Sequence, residues 1–117
     1  MLVGYPRLFR PTACIVEYND REVALFNSWA DVLGRKMKEA AVGLGDANIV
    51  FTSPQYKFEG HAVCDSVHYI NPILLAPNGP GDFSESTMPS RGSLHPNELG
   101  TTAYAEALQD ALNGSLH

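Results

Sequence analysis

The sequence predicts an α/β fold, and three observations carry that expectation. Two short apolar runs, residues 1–5 and 47–52, bracket a stretch with helical periodicity, and a second such stretch lies near the C-terminus. Strand, helix and strand joined by short connections form a βαβ unit, with parallel strands and a right-handed crossover. The 117 residues suffice for one small domain with a core of its own and leave no room for two.

The first apolar run ends at Pro6 and reads as a buried strand tip. Residues 6–18 carry Pro6, Pro11, Thr12 and Cys14 and read as an irregular loop. Asn19 or Asp20 then offers a helix N-cap, and Asn19-Asp20-Arg21-Glu22 has capping-box spacing with Asn as the cap. Phe26, Trp29, Leu33, Met37, Ala40 and Leu44 follow at intervals of three and four, which predicts the buried face. Arg35, Lys36 and Glu39 fall outside it. Gly43 and Gly45 end this helix, because glycine accepts the left-handed cap conformation. Residues 47–52 form the second strand, closed by Ser53-Pro54. From Gln55 to Gly92 no period survives: Asn71-Pro72, Pro77-Asn78-Gly79-Pro80-Gly81 and Pro89-Ser90-Arg91-Gly92 punctuate a long loop of the functional kind. The last helix opens with Pro96 at its first position. Leu99, Ala103, Tyr104, Ala107, Leu108, Ala111 and Leu112 form its buried stripe, and Gly114 closes it.

Composition narrows the function classes. Hydrophobic residues make up 44% and charged residues 18%, values of a folded domain rather than a disordered chain. The net charge is −5, and the few basic residues never gather into the face that phosphate binding requires, which argues against nucleic acid. No stretch approaches the roughly twenty apolar residues of a transmembrane helix. Residues 1–6 are too short for a signal peptide, so an export signal would lie outside this chain. Two cysteines, Cys14 and Cys64, fit either buried reduced thiols or a disulfide on count alone.

Chemistry concentrates at His95, in Gly92-Ser93-Leu94-His95-Pro96-Asn97-Glu98-Leu99-Gly100. Proline restricts the backbone of the residue before it, and a loop-to-helix junction holds a base in place while leaving it reachable. An ordinary loop or capping histidine is the competing reading. His61, Cys64, Asp65 and His68 are close in sequence, but their spacing fits no standard zinc pattern, and no metal or cofactor is expected. Asp82 and Glu85 lack the carboxylate periodicity of a calcium loop. Tyr56 and Phe58 read as core or rim residues.

Ser93-Leu94-His95-Pro96-Asn97, followed by Gly100 and Tyr104, is similar to the terminal histidine block of the SGNH/GDSL-type ester hydrolases. Phe58-Glu59-Gly60-His61-Ala62-Val63-Cys64-Asp65 resembles the segment after the last strand in actinobacterial secreted lipases of that family. Gly4-Tyr5-Pro6 resembles a strand end ahead of a cysteine-bearing loop. The three elements keep the family's order and span nearly the whole chain.

The resemblance implies part of a three-layer α/β/α, flavodoxin-like sheet. Residues 1–117 would be the C-terminal part of a single SGNH-hydrolase-like domain. It also implies hydrolysis of carboxylic esters or lipids, in which a serine attacks the carbonyl and His95 takes and returns the proton. The Gly-Asp-Ser block, the oxyanion glycine and the Gly-x-Asn-Asp run have no counterpart here. Ser28 falls on the first helix, and Ser93 is too near His95 to act as nucleophile. Gly92 stands where much of the family has an aspartate; some members use a backbone carbonyl there, so the Gly92 carbonyl would orient His95 Nδ1–H. Secreted relatives bridge two similarly placed loops, which implies a Cys14–Cys64 disulfide and an extracellular protein. Both cysteines also follow strands that point to one end of the sheet. A βαβ unit leaves a sheet edge open, to be covered by an N-terminal half or a second copy. The competing functions are a catalytically silent remnant that binds or assembles, and a redox or metal module built on Cys14 and Cys64.

Overall fold

The computed structural model describes residues 1–14, 18–74 and 90–115. Asp82, Glu85, Pro89 and the Pro77-Asn78-Gly79-Pro80-Gly81 run lie outside the described residues. Five elements occur in order: β1 (Leu2–Val3), α1 (Asp20–Gly43), β2 (Phe51–Thr52), α2 (Gln55–Phe58) and α3 (Glu98–Ser115). β1 and β2 pair in parallel, Leu2 opposite Phe51 and Val3 opposite Thr52, so the expected βαβ unit is present. Both strands are shorter than the apolar runs that contain them. Leu2 N–H donates to the Val50 carbonyl and Gly4 N–H to that of Thr52. Parallel alternation therefore turns the backbone groups of Val3 toward the opposite edge, which no strand pairs with among the described residues.

α1 begins as its sequence dictates. The Asn19 side chain accepts from Glu22 N–H at 3.0 Å, and the Glu22 carboxylate accepts from Asn19 N–H at 2.9 Å. That reciprocal capping box satisfies two of the donors a helix start leaves unpaired. At the other end Leu44 is the C-cap and Gly45 follows with φ +64°, the left-handed conformation glycine adopts without a Cβ clash. The buried face differs from the expected one. Val23 and Ala41 are buried, whereas Trp29, Leu33 and Leu44 are exposed. The packed stripe is turned by most of a quarter-turn from the one that hydrophobicity alone selects. Phe26 packs against the core beside Val23, while Trp29, Leu33 and Leu44 remain outside.

α3 likewise departs in detail. Ala103 and Ala107 are buried, but Leu99 and Leu112 are exposed, and the helix runs through Gly114 to Ser115. Its start is Glu98, so Pro96 precedes the helix. Asn97 caps it: the side-chain carbonyl accepts Gly100 N–H at 3.0 Å. The single turn of α2 falls inside the span expected to be loop. It is too short for periodicity to show, and it is held to α3 by Lys57, which pairs with Glu106 and Asp110, and by Tyr56, whose hydroxyl donates to Asp110.

The core joins Phe9, Val23, Phe58, Val63, Ile70 and Ala103. Much of it therefore comes from irregular segments that follow the strands. Phe9 and Val63 form an isolated parallel bridge, with Val63 N–H donating to the Leu8 carbonyl at 2.9 Å. The parallel pairing of β1 and β2 thus resumes beyond the strands themselves. Phe9, Tyr18, Phe26 and Trp29 continue the core outward as a chain of tilted and edge-on rings. No helix among the described residues is long and apolar enough to cross a membrane.

Candidate functional site

His95 sits three residues before α3, exposed at the end of a short crossing of two segments. Residues 69–71 and 94–97 run antiparallel there. Asn71 N–H donates to the His95 carbonyl (2.9 Å), Leu94 N–H to the Asn71 carbonyl (3.1 Å), and Asn97 N–H to that of Tyr69 (2.9 Å). Ile70 and Pro96 bridge between them, and Ile70 is fully buried. The loop that carries His95 is therefore anchored directly to the core.

The sequence around His95 acquires separate physical roles. Gly100 makes the close approach possible: a Cβ there would fall on the Tyr69 carbonyl and within 2.9 Å of the Pro96 Cβ. Asn97 caps α3 with its carbonyl, and its Nδ2 donates to the His68 carbonyl at 2.8 Å. Gly92 and His95 close a β-turn through His95 N–H and the Gly92 carbonyl (3.2 Å). Leu94, its third residue, has φ +59°, a conformation that suits glycine or asparagine far better than leucine.

The Gly92 carbonyl also accepts Asn71 Nδ2 at 3.0 Å. Among the described residues the His95 imidazole makes no hydrogen bond. The two serines weighed as nucleophiles are engaged with the backbone. Ser28 Oγ donates to the Leu25 carbonyl (2.7 Å). Ser93 Oγ donates to the Leu74 carbonyl (3.1 Å) while accepting Leu74 N–H (2.8 Å).

A different histidine has a fixed ring. His61 Nδ1 lies 2.6 Å from the Val67 carbonyl, and its ring stacks on Tyr69 with centroids 3.9 Å apart and planes 5° from parallel. Nδ1 facing a carbonyl must carry the proton in the neutral ring, which leaves Nε2 as the acceptor. His68 Nδ1 faces the Asp65 carbonyl, and the Asp65 carboxylate accepts Ala62 N–H. Among the described residues no three His, Cys, Asp or Glu side chains gather into a metal-sized cluster. Cys14 and Cys64 form a disulfide with Cα atoms 6.2 Å apart. The Phe9–Val63 bridge places Cys64 beside the loop that carries Cys14.

A cleft of about 750 Å3 opens where the chain leaves β1 and β2, lined by Arg7, Phe9, Ser53, Gln55, Tyr56 and Phe58 among others. His95 is not on its wall. Arg7 makes two hydrogen bonds to Asp31, at 3.0 and 2.6 Å. These hold the Asp31 carboxyl below its usual range against the cost of burial, and a hydrogen bond from Gln55 adds a smaller lowering. Tyr104, half-buried with its hydroxyl donating to the Gly4 carbonyl at 3.3 Å, is pushed up to about 12 by desolvation, with a smaller contribution from Tyr5.

No family model matches the sequence, and no curated protein does. Solved structures do share its fold. An extracellular lipase from Streptomyces rimosus superimposes with a TM-score of 0.63 at 22% identity, over 97% of this chain and 41% of its own. A phospholipase A1 from Streptomyces albidoflavus does so with a TM-score of 0.64 at 19% identity, over the same shares of each chain. The chain thus shares the backbone arrangement of part of each of these structures and spans about two fifths of their length.

Proposed function

We propose that this chain carries the general-base block of an SGNH-type carboxylic ester or lipid hydrolase and forms the C-terminal part of that domain. The observation that supports it most is the anchored, exposed His95 ahead of α3, in a backbone arrangement shared with a lipase and a phospholipase A1. In this reading His95 accepts the proton of a serine hydroxyl as that serine attacks the ester carbonyl, and returns it to the leaving alcohol. The serine and the oxyanion donors come from polypeptide other than residues 1–117. The Gly92 carbonyl is the proposed orienting acceptor for the imidazole; at rest it accepts His95 N–H at 3.2 Å and Asn71 Nδ2 at 3.0 Å, and the longer turn bond is the one that gives way to Nδ1–H as substrate binds. The disulfide, and the extracellular nature of one structural neighbour, support export.

The edge of β1, unpaired among the described residues, and the apolar outer face of α1 support a partner of the same domain, an N-terminal half or a second copy. The same surfaces favour the second reading, a silent remnant that binds or assembles. Ester turnover separates the two. The isolated chain is expected to hydrolyse short-chain nitrophenyl esters at background rate, because a base without a nucleophile forms no acyl-enzyme. The native reading frame extended upstream of Met1 is expected to encode a Gly-Asp-Ser block. Its product should hydrolyse those esters and lose on the order of a thousandfold or more in kcat on His95→Ala. Turnover by the longer protein that ignores His95→Ala, or turnover by residues 1–117 alone that His95→Ala abolishes, overturns the proposal.

A further inference from the structure

We propose that Asn71 is the positioning residue of His95, an inference that rests on the reading of His95 as the base. One residue supplies three of the hydrogen bonds around that turn: its N–H to the His95 carbonyl, its carbonyl to Leu94 N–H, and its side-chain Nδ2 to the Gly92 carbonyl. These bonds reach the first, third and fourth residues of the Gly92–His95 turn. The third residue, Leu94, is the one in the left-handed region. Left to itself, a leucine there loses about tenfold in population against ordinary backbone, and the turn would relax. Strained backbone of this kind persists only where its surroundings over-determine it, and Asn71 does so from both backbone and side chain. Ile70, fully buried beside it, gives the clamp a rigid footing. The direction in which the Cα–Cβ bond of His95 leaves the backbone is thus set by Asn71.

Asparagine suits this role chemically. The amide donates to a carbonyl that already accepts the turn's own N–H, so both lone pairs of the Gly92 oxygen are used. Aspartate, of the same size, would set an acceptor against that oxygen. Alanine would remove the clamp. Glycine at position 94 would remove the strain, so that the turn stands without the side-chain bond.

The test uses the oxidised 117-residue chain, followed by amide hydrogen exchange and by the ring C–H resonance of 13C-labelled His95. Asn71→Ala and Asn71→Asp should each speed exchange at the His95 amide by about tenfold and move or split the single ring resonance. Exchange at Ala103 and Ala107, in the buried stripe of α3, should not change. Adding Leu94→Gly to Asn71→Ala should restore the protection and the single resonance. A residue that merely supports the fold has no reason to be rescued from position 94. Should Asn71→Ala not fold, Asn71→Asp with and without Leu94→Gly carries the same comparison. An unchanged His95 amide and ring in both variants overturns the proposal. So does failure of Leu94→Gly to rescue, or a parallel loss of protection at Ala103 and Ala107. None of these readouts involves ester turnover. A His95 that is positioned by Asn71 yet dispensable for hydrolysis would refute the base assignment and leave this inference standing.

Discussion

The outer face of α1 and the crossing of segments 61–71 and 90–97 divide the molecule in an unexpected way. α1 is regular, capped at both ends and 24 residues long, yet it buries only Val23 and Ala41. The crossing contains no strand or helix but includes Val63 and Ile70, both at 0% exposure. Regular backbone hydrogen bonding and burial are therefore separate properties in this chain. A helix satisfies its own peptide groups wherever it lies. An irregular segment can be buried only when each peptide group finds a particular partner, and the bonds around Tyr69, Asn71, Leu94 and Asn97 supply them.

The largest expected effect concerns what holds the irregular half together. Cys14→Ser with Cys64→Ser opens a loop with a sequence separation of 50, which should cost about 4 kcal/mol through the freed denatured chain. Urea denaturation of the oxidised and double-serine forms measures it. A loss below about 1 kcal/mol would show that the crossing holds without its covalent link.

Gly100→Ala comes next. The added Cβ meets the Tyr69 carbonyl backbone and Pro96, neither of which can turn aside, so overpacking should cost about 3 kcal/mol. The damage should concentrate in the crossing, with hydrogen exchange at the Asn71 and Asn97 amides rising before that in α1.

The third test compares the two faces of α1 directly. Val23→Ala, at a site 1% exposed, should cost about 2 kcal/mol. Leu33→Ser, on the open face, should cost less than about 1 kcal/mol and should reduce concentration-dependent association by sedimentation. Equal losses from the two would mean that the outer face is packed after all.

The smallest effect is at the Arg7–Asp31 pair, which joins the β1 exit to α1. The folded-state pKa of Asp31 lies below its usual value, chiefly through the Arg7 hydrogen bonds. Its contribution is therefore present above the unfolded carboxylate pKa and is lost as pH falls through the folded value. Both side chains are more than a third exposed, so screening keeps the contribution under about 1 kcal/mol. The stability gap between the chain and Asp31→Asn should be open at neutral pH and close on acidification. A gap that persists in acid would assign the effect to packing.

Local rules in the sequence accounted for what is local. The Asn19–Glu22 capping box, the Gly45 helix end and the strand–helix–strand order follow from side-chain chemistry and period within a few residues of each position. His95 and Cys14–Cys64 stood out through the resemblance of their surroundings to ester hydrolases; the disulfide is present, and the exposed position of His95 is compatible with the role proposed for it. Three features were not legible. The packed face of α1 depends on which side the rest of the chain occupies, and hydrophobicity points to Trp29 and Leu33 instead. α2 is one turn long and is held by ion pairs to residues roughly fifty positions away. Asn71 read only as a turn residue before a proline, because its partners at Gly92, Leu94 and His95 lie more than twenty positions along the chain.

The sequence by itself thus determined where backbone begins and ends its regular stretches, since capping, glycine conformation and periodicity are properties of neighbours. Only the tertiary structure decided which apolar face is buried, which peptide groups of the irregular half are paired, and what holds the turn at His95. Those outcomes rest on contacts between residues distant in the chain, and no period or local motif encodes them.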